Sequence, residues 1–187
     1  MSEILGTLFK YLLALLAIAA VVAVLYEALS SNKESTAVAQ ITSLQANLSQ
    51  LYSGSNNGTF DSTPSDLISA GVVPSSMVSG SGTTAKLVDP WGGAVALTTA
   101  STTAGGTGIQ ISLSNVPQSA CVKLVSTLLS AMDQITFTSS GSGALTGSSG
   151  VNIANLVGGS GGCASSSGNI VNFIFPANVA VAASPSS

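Results

Sequence analysis

Residues 11–26 read YLLALLAIAAVVAVLY, a run of 16 residues without a charge. Extending the run back to Ile4 gives 23 residues in which Lys10 is the only charged side chain. A helix of this length reaches roughly 35 Å at about 1.5 Å per residue, and a membrane hydrocarbon core is about 30 Å thick. The stretch therefore predicts a helix that can span a membrane or pack among other apolar helices.

The apolar run continues into an amphipathic stretch without a helix breaker. No glycine or proline lies between Gly6 and Gly54, and in the second half apolar residues recur at spacings of three and four. These residues are Val38, Ile41, Leu44, Leu48, Leu51 and Tyr52. We expect one helix over residues 4–52, unbroken between 14 and 24, whose second half packs on a domain. A cleaved secretory signal is disfavoured, because such signals have a basic start and a shorter apolar core.

The composition excludes several classes of function. Charged residues make up 6% of the chain, the net charge is -3, histidine is absent and all four basic residues are lysines. Without histidine there is no Ser-His-Asp triad and no imidazole metal ligand. Without arginine or a basic stripe, nucleic-acid binding is not expected. The scattered acids form no calcium loop, so we expect no enzyme activity, no cofactor and no metal site.

Turn and cap residues after the long helix predict two further helices. Thr63-Pro64-Ser65-Asp66 begins a short helix that ends at Gly71. Asn115 is predicted to cap the other helix, with Pro117 in its first turn. Its predicted buried face consists of Val122, Leu124, Val125, Leu128, Leu129 and Met132.

Apolar and β-branched segments predict strands. They cover residues 94–98, 108–113, 135–138 and 170–175. The glycine- and serine-rich segments 141–150 and 158–162 are interpreted as flexible stretches of low complexity. Before the first strand, Asp89-Pro90-Trp91-Gly92-Gly93 predicts a turn, in which we interpret Trp91 as filling the core.

The chain contains two cysteines, Cys121 and Cys163, and neither a third cysteine nor a histidine that would complete a metal site. A disulfide is favoured, because the apolar N-terminal segment is compatible with export to an oxidising compartment. Closing 41 intervening residues contributes about 4 kcal/mol in the chain-entropy model. The alternative is a pair of buried free thiols.

These features together resemble the type IV pilins, and within them the type IVb group of toxin-coregulated, bundle-forming and conjugative thin-pilus subunits. The resemblance rests on the long helix, on Leu51-Tyr52-Ser53-Gly54, on the Asp89-Pro90-Trp91-Gly92-Gly93 turn, and on Gln118-Ser119-Ala120-Cys121 with the late Cys163. It implies an α+β, ladle-shaped subunit in which the long helix packs on a twisted antiparallel β-sheet. Residues 1–29 then form a hydrophobic helix, a membrane anchor or filament core. Residues 30–187 form the globular pilin domain, with the amphipathic helix half at 30–52 and a disulfide-bounded region at 121–163.

The resemblance also implies a function and partners. It implies a major structural subunit that leaves an inner-membrane pool, with its globular domain in the periplasm, and polymerises into an extracellular pilus filament. Prepilin peptidase and the pilus assembly machinery are the implied partners, besides other copies of the chain. Within the apolar half, we interpret Glu3, Lys10, Leu12, Leu13, Leu16, Ile18, Val22 and Leu25 as candidate assembly residues. The alternatives are a minor pilin, a type II secretion pseudopilin, or a membrane-anchored adhesion or binding domain.

The sequence departs from the pilin pattern in two places. Pilins usually carry a glutamate at the fifth mature position, whereas this chain has Leu5 there and its acid at Glu3. The basic leader of prepilins does not precede Met1, so we expect that the sequence is that of a processed chain. The alternative is that Met1 initiates a chain without a leader.

Glu3 and Lys10 are charges within the apolar half, and charges in a dry helical bundle require partners. They are seven residues apart, about 10.5 Å along one helix and too far to pair within it. If neighbouring subunits are staggered by that distance, Glu3 of one subunit pairs with Lys10 of the next and sets the register. The alternative is that Glu3 pairs with the amine of Met1 and Lys10 reaches a polar groove.

Overall fold

The chain begins with one long helix, α1 (Ser2–Ser53, 52 residues). The computed structural model describes residues 2–53, 58–60, 62–137, 143–146, 156–157, 162–164, 168–177 and 179–180. Within α1, it describes side chains at most positions from Phe9 onward. The helix is about 78 Å long at 1.5 Å per residue. It runs without interruption through residues 14–24, which confirms the predicted continuity.

The second half of α1 packs on the globular domain. Ile41, Leu44 and Leu48 are at most 1% exposed, and Tyr52 follows them on the same face at 8%. The prediction that Leu51 belongs to this face is wrong, because its side chain is 47% exposed. Tyr52, one turn after Leu48, takes the buried direction and leaves Leu51 facing solvent.

Polar side chains of α1 also bond to the domain over long distances in sequence. Asn47 Nδ2 donates to the main-chain oxygen of Val72 (2.7 Å), and Gln45 Nε2 donates to that of Ala131 (3.2 Å). These bonds fix the rotation of the helix on the domain, because each requires one face of α1 to point in one direction.

Short strands and helices follow α1. The strands are β1 (Gly58–Thr59), β2 (Val78–Ser79), β3 (Lys86–Leu87), β4 (Val95–Ser101), β5 (Thr107–Val116), β6 (Gln134–Phe137), β7 (Gly143–Thr146), β8 (Asn169–Pro176) and β9 (Val179–Ala180). The helices are α2 (Pro64–Ser69) and α3 (Gln118–Leu128), with 3-10 turns at Ser75–Met77 and Gly82–Thr84.

The main sheet has five strands in the order β4-β5-β8-β6-β7, and every neighbouring pair is antiparallel. The late strand β8 lies in the centre, where Phe173 stands opposite Ile111 on one side and Ile135 on the other. These side chains are completely buried, and they belong to the same core as the packed face of α1. Two small pairs, β1 with β9 and β2 with β3, complete the strands.

The predicted strands are present as β4, β5, β6 and β8, although the end of the third at Thr138 lies outside the described residues. The segment 141–150 was interpreted as flexible, and this is wrong for Gly143–Thr146. These residues form the edge strand β7, which pairs with β6 along four residues. The strand forms through main-chain hydrogen bonds to β6. Such bonds do not depend on the side chains, so a glycine- and serine-rich sequence does not reveal them.

Both predicted short helices are present, with two corrections at the start of α3. Pro117 is the N-cap of α3 and does not lie in its first turn. Asn115 lies before the helix with φ 62°, where the pairing of β5 with β8 shifts register between Leu113 and Val116. An asparagine tolerates this left-handed conformation better than most residues, so Asn115 turns the chain into α3 without capping it.

Candidate assembly interface and the elements that support it

The first half of α1 has an uncovered apolar surface. Among the side chains that the structure describes from Phe9 to Leu29, the large apolar ones are each more than half exposed. They are Phe9, Tyr11, Leu12, Leu13, Leu15, Leu16, Ile18, Val21, Val22, Leu25 and Leu29. Every apolar residue predicted for assembly is in this set, which we call the apolar surface of α1. An exposed patch of this kind marks a site of interaction.

The apolar surface surrounds the helix. Tyr11, Leu12 and Leu13 are consecutive and all exposed, and consecutive residues are about 100° apart around an α-helix. Lys10 is also exposed, between Phe9 and Tyr11. The side chain of Glu3 lies outside the described side chains, so the pairing of Glu3 with Lys10 stays a prediction.

Among the described residues, we find no helix that combines the length and apolar character needed to cross a membrane.

An ion pair joins α1 to α3. Glu34 is buried, whereas the side chain of Lys123 on α3 is 52% exposed, and Lys123 Nζ lies 2.5 Å from Glu34 Oε2. The two residues contribute to the wall of a groove of about 240 Å³ between α1 and α3. Sequence reasoning did not find this pair, although a lysine among the apolar residues of α3 is a signal that a partner is needed.

The turn at residues 89–93 is organised by one carboxylate. Oδ1 of Asp89 accepts the main-chain N–H groups of Trp91 (2.9 Å) and Gly93 (2.8 Å), and the main-chain N–H of Asp89 donates to the oxygen of Gly93. Trp91 is half-buried against the core. These contacts support the interpretation of residues 89–92 as a core turn. The role of Gly93 follows from its contact with β5, because a Cβ at this position would lie 1.8 Å from the oxygen of Ser114.

The environment of the second carboxylate oxygen of Asp89 explains why the pKa of this carboxyl is shifted. Oδ2 is buried and has no hydrogen-bond partner within the described residues. Burial raises the pKa of the Asp89 carboxyl above its ordinary value, against the opposing effects of the N–H groups of Gly93, Trp91 and Gly92 and of the charge of Lys33. Burial prevails because it disfavours the charged form more than these donors favour it.

Asp89→Asn is expected to change how stability depends on pH. A carboxyl whose pKa is raised by folding stabilises the fold below its unfolded pKa, and this contribution is lost as pH rises through the folded pKa. The stability of the protein relative to Asp89→Asn should therefore fall as pH rises above 3.8. Urea unfolding at a series of pH values measures this difference, and a difference that does not vary with pH contradicts the expectation.

The expected disulfide is present. Cys121, near the start of α3, is bonded to Cys163, with the two Cα atoms 5.8 Å apart. Both cysteines are buried, at 0% and 2% exposure. Within the described part of the chain, no three His, Cys, Asp or Glu side chains come together as a metal site.

A long helix that packs one half on an antiparallel sheet and exposes an apolar other half is the architecture of a pilin. The family described as PilS N terminal matches residues 31–175, and the chain belongs to this family. A crystal structure of a type IV b pilin from Salmonella typhi has the same fold, with a TM-score of 0.56 and 23% identity over 75% of this chain and 98% of that chain. No curated protein matches the chain. The resemblance to type IVb pilins and the α+β pilin fold are thus confirmed.

Proposed function

We propose that this pilin is the major structural subunit of a type IV pilus and that it polymerises through the apolar surface of α1. The observation that carries the proposal is the exposure of large apolar side chains on all sides of the helix between Phe9 and Leu29. One partner helix covers only one stripe of such a surface. Several neighbouring copies are needed to cover the whole circumference, as in a helical bundle.

Contacts of this kind build a filament. When each subunit uses different surfaces to bind the subunits before and after it, the assembly does not close and grows as a helix. In this arrangement residues 1–29 form the filament core, and residues 30–187 form its outer part. The proposal includes processing by prepilin peptidase and delivery by the pilus assembly machinery, since the resemblance to pilins implies these partners.

Electron microscopy of material sheared from expressing cells tests the proposal, together with mass spectrometry of its main band. Thin filaments composed mainly of this chain support a major pilin. Filaments that contain it only at a small fraction identify a minor pilin instead. If the chain is absent from filaments and stays with the cells, a pseudopilin or an anchored adhesion domain is the better assignment.

Within this filament we propose that Glu3 of one subunit pairs with Lys10 of a neighbour. The exposed position of Lys10 among apolar side chains supports the proposal, because a lysine enclosed by a dry bundle requires a counter-charge. The pair would set the axial stagger between subunits at about 10.5 Å, seven residues of helix rise.

Lys10→Met is expected to lower filament abundance strongly and to change the axial rise, because it leaves the carboxylate of Glu3 without its partner. Quantification of sheared filaments and helical reconstruction measure both effects. Lys33→Met is the matched control, since Lys33 is an exposed lysine of the same helix. The double variant Glu3→Lys with Lys10→Glu should restore assembly. Filaments of unchanged abundance and rise in Lys10→Met contradict the pairing.

A further inference from the structure

The segment that contains Cys163 is bound to α3 by more than the disulfide. Gln118 Nε2 donates to the main-chain oxygen of Cys163 (3.2 Å) and lies 3.4 Å from that of Val157. Gln118 precedes Cys121 by three residues on α3, so the two side chains project from neighbouring positions on one helix face. The same face of α3 thus holds the main chain and the sulfur of Cys163.

Asn169 binds the other side of this segment. It is completely buried, and its Oδ1 accepts the main-chain N–H of Ala164 (2.6 Å). Its Nδ2 donates to the main-chain oxygens of Val116 (3.0 Å) and Ala164 (3.2 Å). Ala164 follows Cys163, and Val116 precedes the N-cap of α3. Asn169 therefore ties the cysteine segment to the chain that leads into α3.

The burial of both cysteines gives these bonds a chemical consequence. Thiol–disulfide exchange requires a thiolate to reach a sulfur, and Cys121 and Cys163 are at most 2% exposed. Reduction of the disulfide therefore requires the Cys163 segment to move away from α3, which breaks the bonds of Gln118.

We propose that Gln118 and Asn169 are positioning residues for this disulfide, holding Cys163 beside Cys121 before oxidation and shielding the bond afterwards. With glutathione disulfide as oxidant, one cysteine thiolate attacks a glutathione sulfur and releases one glutathione thiolate. The other cysteine thiolate then attacks the protein sulfur of the mixed disulfide and releases the second. The cysteine pair loses two electrons to glutathione disulfide, and the released thiolates take up the two thiol protons.

Gln118→Met tests the proposal in the full chain held in detergent, because methionine keeps the length of the side chain and removes both donors. Equilibration with reduced and oxidised glutathione measures the effective concentration of the two thiols, which is expected to fall about tenfold through the lost hydrogen bonds. The rate of reduction by dithiothreitol is expected to rise by a similar factor. Gln118→Glu, which replaces the donor by an acceptor facing a carbonyl oxygen, should change both quantities in the same direction.

Gln45→Met is the matched control, since Gln45 also donates to a distant main-chain oxygen, that of Ala131, away from the cysteines. It should leave the effective concentration and the reduction rate unchanged. Circular dichroism of the oxidised and reduced chains checks that each variant is folded. Unchanged values in both Gln118 variants overturn the proposal. Equal changes in Gln45→Met also overturn it, because they show that any loss of stability exposes the disulfide.

Discussion

Leu16→Glu is expected to abolish filament assembly while leaving the globular domain folded. The side chain of Leu16 is 64% exposed on the apolar surface of α1, and the proposed bundle encloses this surface. An ionised carboxylate in a dry apolar interior costs several kcal/mol, and the cost recurs in every subunit. Since about 1.4 kcal/mol changes an association constant tenfold, the amount of chain in the sheared fraction should fall by at least an order of magnitude.

The fate of the domain separates an assembly defect from misfolding. Leu16 makes no part of the buried core, so the disulfide and the thermal unfolding of the variant in detergent should match those of the unchanged protein. Leu16→Met, of similar size and polarity, is the control and should assemble normally. Filaments of normal abundance from Leu16→Glu contradict a buried position for this residue in the assembly.

Gly93→Ala is expected to be among the most destabilising single changes in the domain. A Cβ at Gly93 would lie 1.8 Å from the main-chain oxygen of Ser114 and 2.7 Å from Oδ2 of Asp89. The turn at residues 89–93 and strand β5 must then move apart, which disrupts the hydrogen bond from the N–H of Ser114 to the main-chain oxygen of Ala94 (3.1 Å). We expect a loss of about 3 kcal/mol and a fall in melting temperature of roughly 10 °C, measured by thermal unfolding of the full chain.

Gly92→Ala is the matched control in the same turn. Gly92 has a φ of 83°, but a Cβ there would meet nothing within 4 Å. We therefore expect Gly92→Ala to lower the free energy of unfolding only by the cost of the left-handed conformation, about 1 kcal/mol. Equal losses from the two variants would contradict the prediction, because they would show that the contact with Ser114 adds no cost beyond that of an ordinary glycine substitution in this turn.

Local features of the chain predicted much of the fold. The continuity of α1 follows from the absence of glycine and proline between Gly6 and Gly54, which is a property of neighbouring residues. The alternation of Ile109, Ile111 and Leu113 with polar residues predicted β5 for the same reason. The residues of the apolar surface of α1 could also be predicted, since an uninterrupted apolar run needs no tertiary information to be recognised.

Apart from the disulfide, the contacts between residues far apart in sequence were not predicted. Strand β7 exists through its main-chain bonds to β6. Neither the Glu34–Lys123 pair nor the bonds of Gln118 and Asn169 to the cysteine segment can be read from local spacing, because their members are between five and 89 residues apart. Gln118 was noted only as part of the Gln118-Ser119-Ala120-Cys121 motif, and the motif does not indicate that its side chain binds the main chain of Cys163.

The sequence by itself determined the length of α1, the apolar character of its first half and the two cysteines available for a bond. These depend on side-chain chemistry and on helix geometry, which act over a few residues. Only the tertiary structure decided that β8 lies in the centre of the sheet and that Glu34 of α1 pairs with Lys123 of α3. It also decided that glycine is required at position 93. Each of these features results from the close approach of segments that are far apart in the sequence. The packing of the whole domain, rather than the neighbouring residues, determines how closely such segments approach.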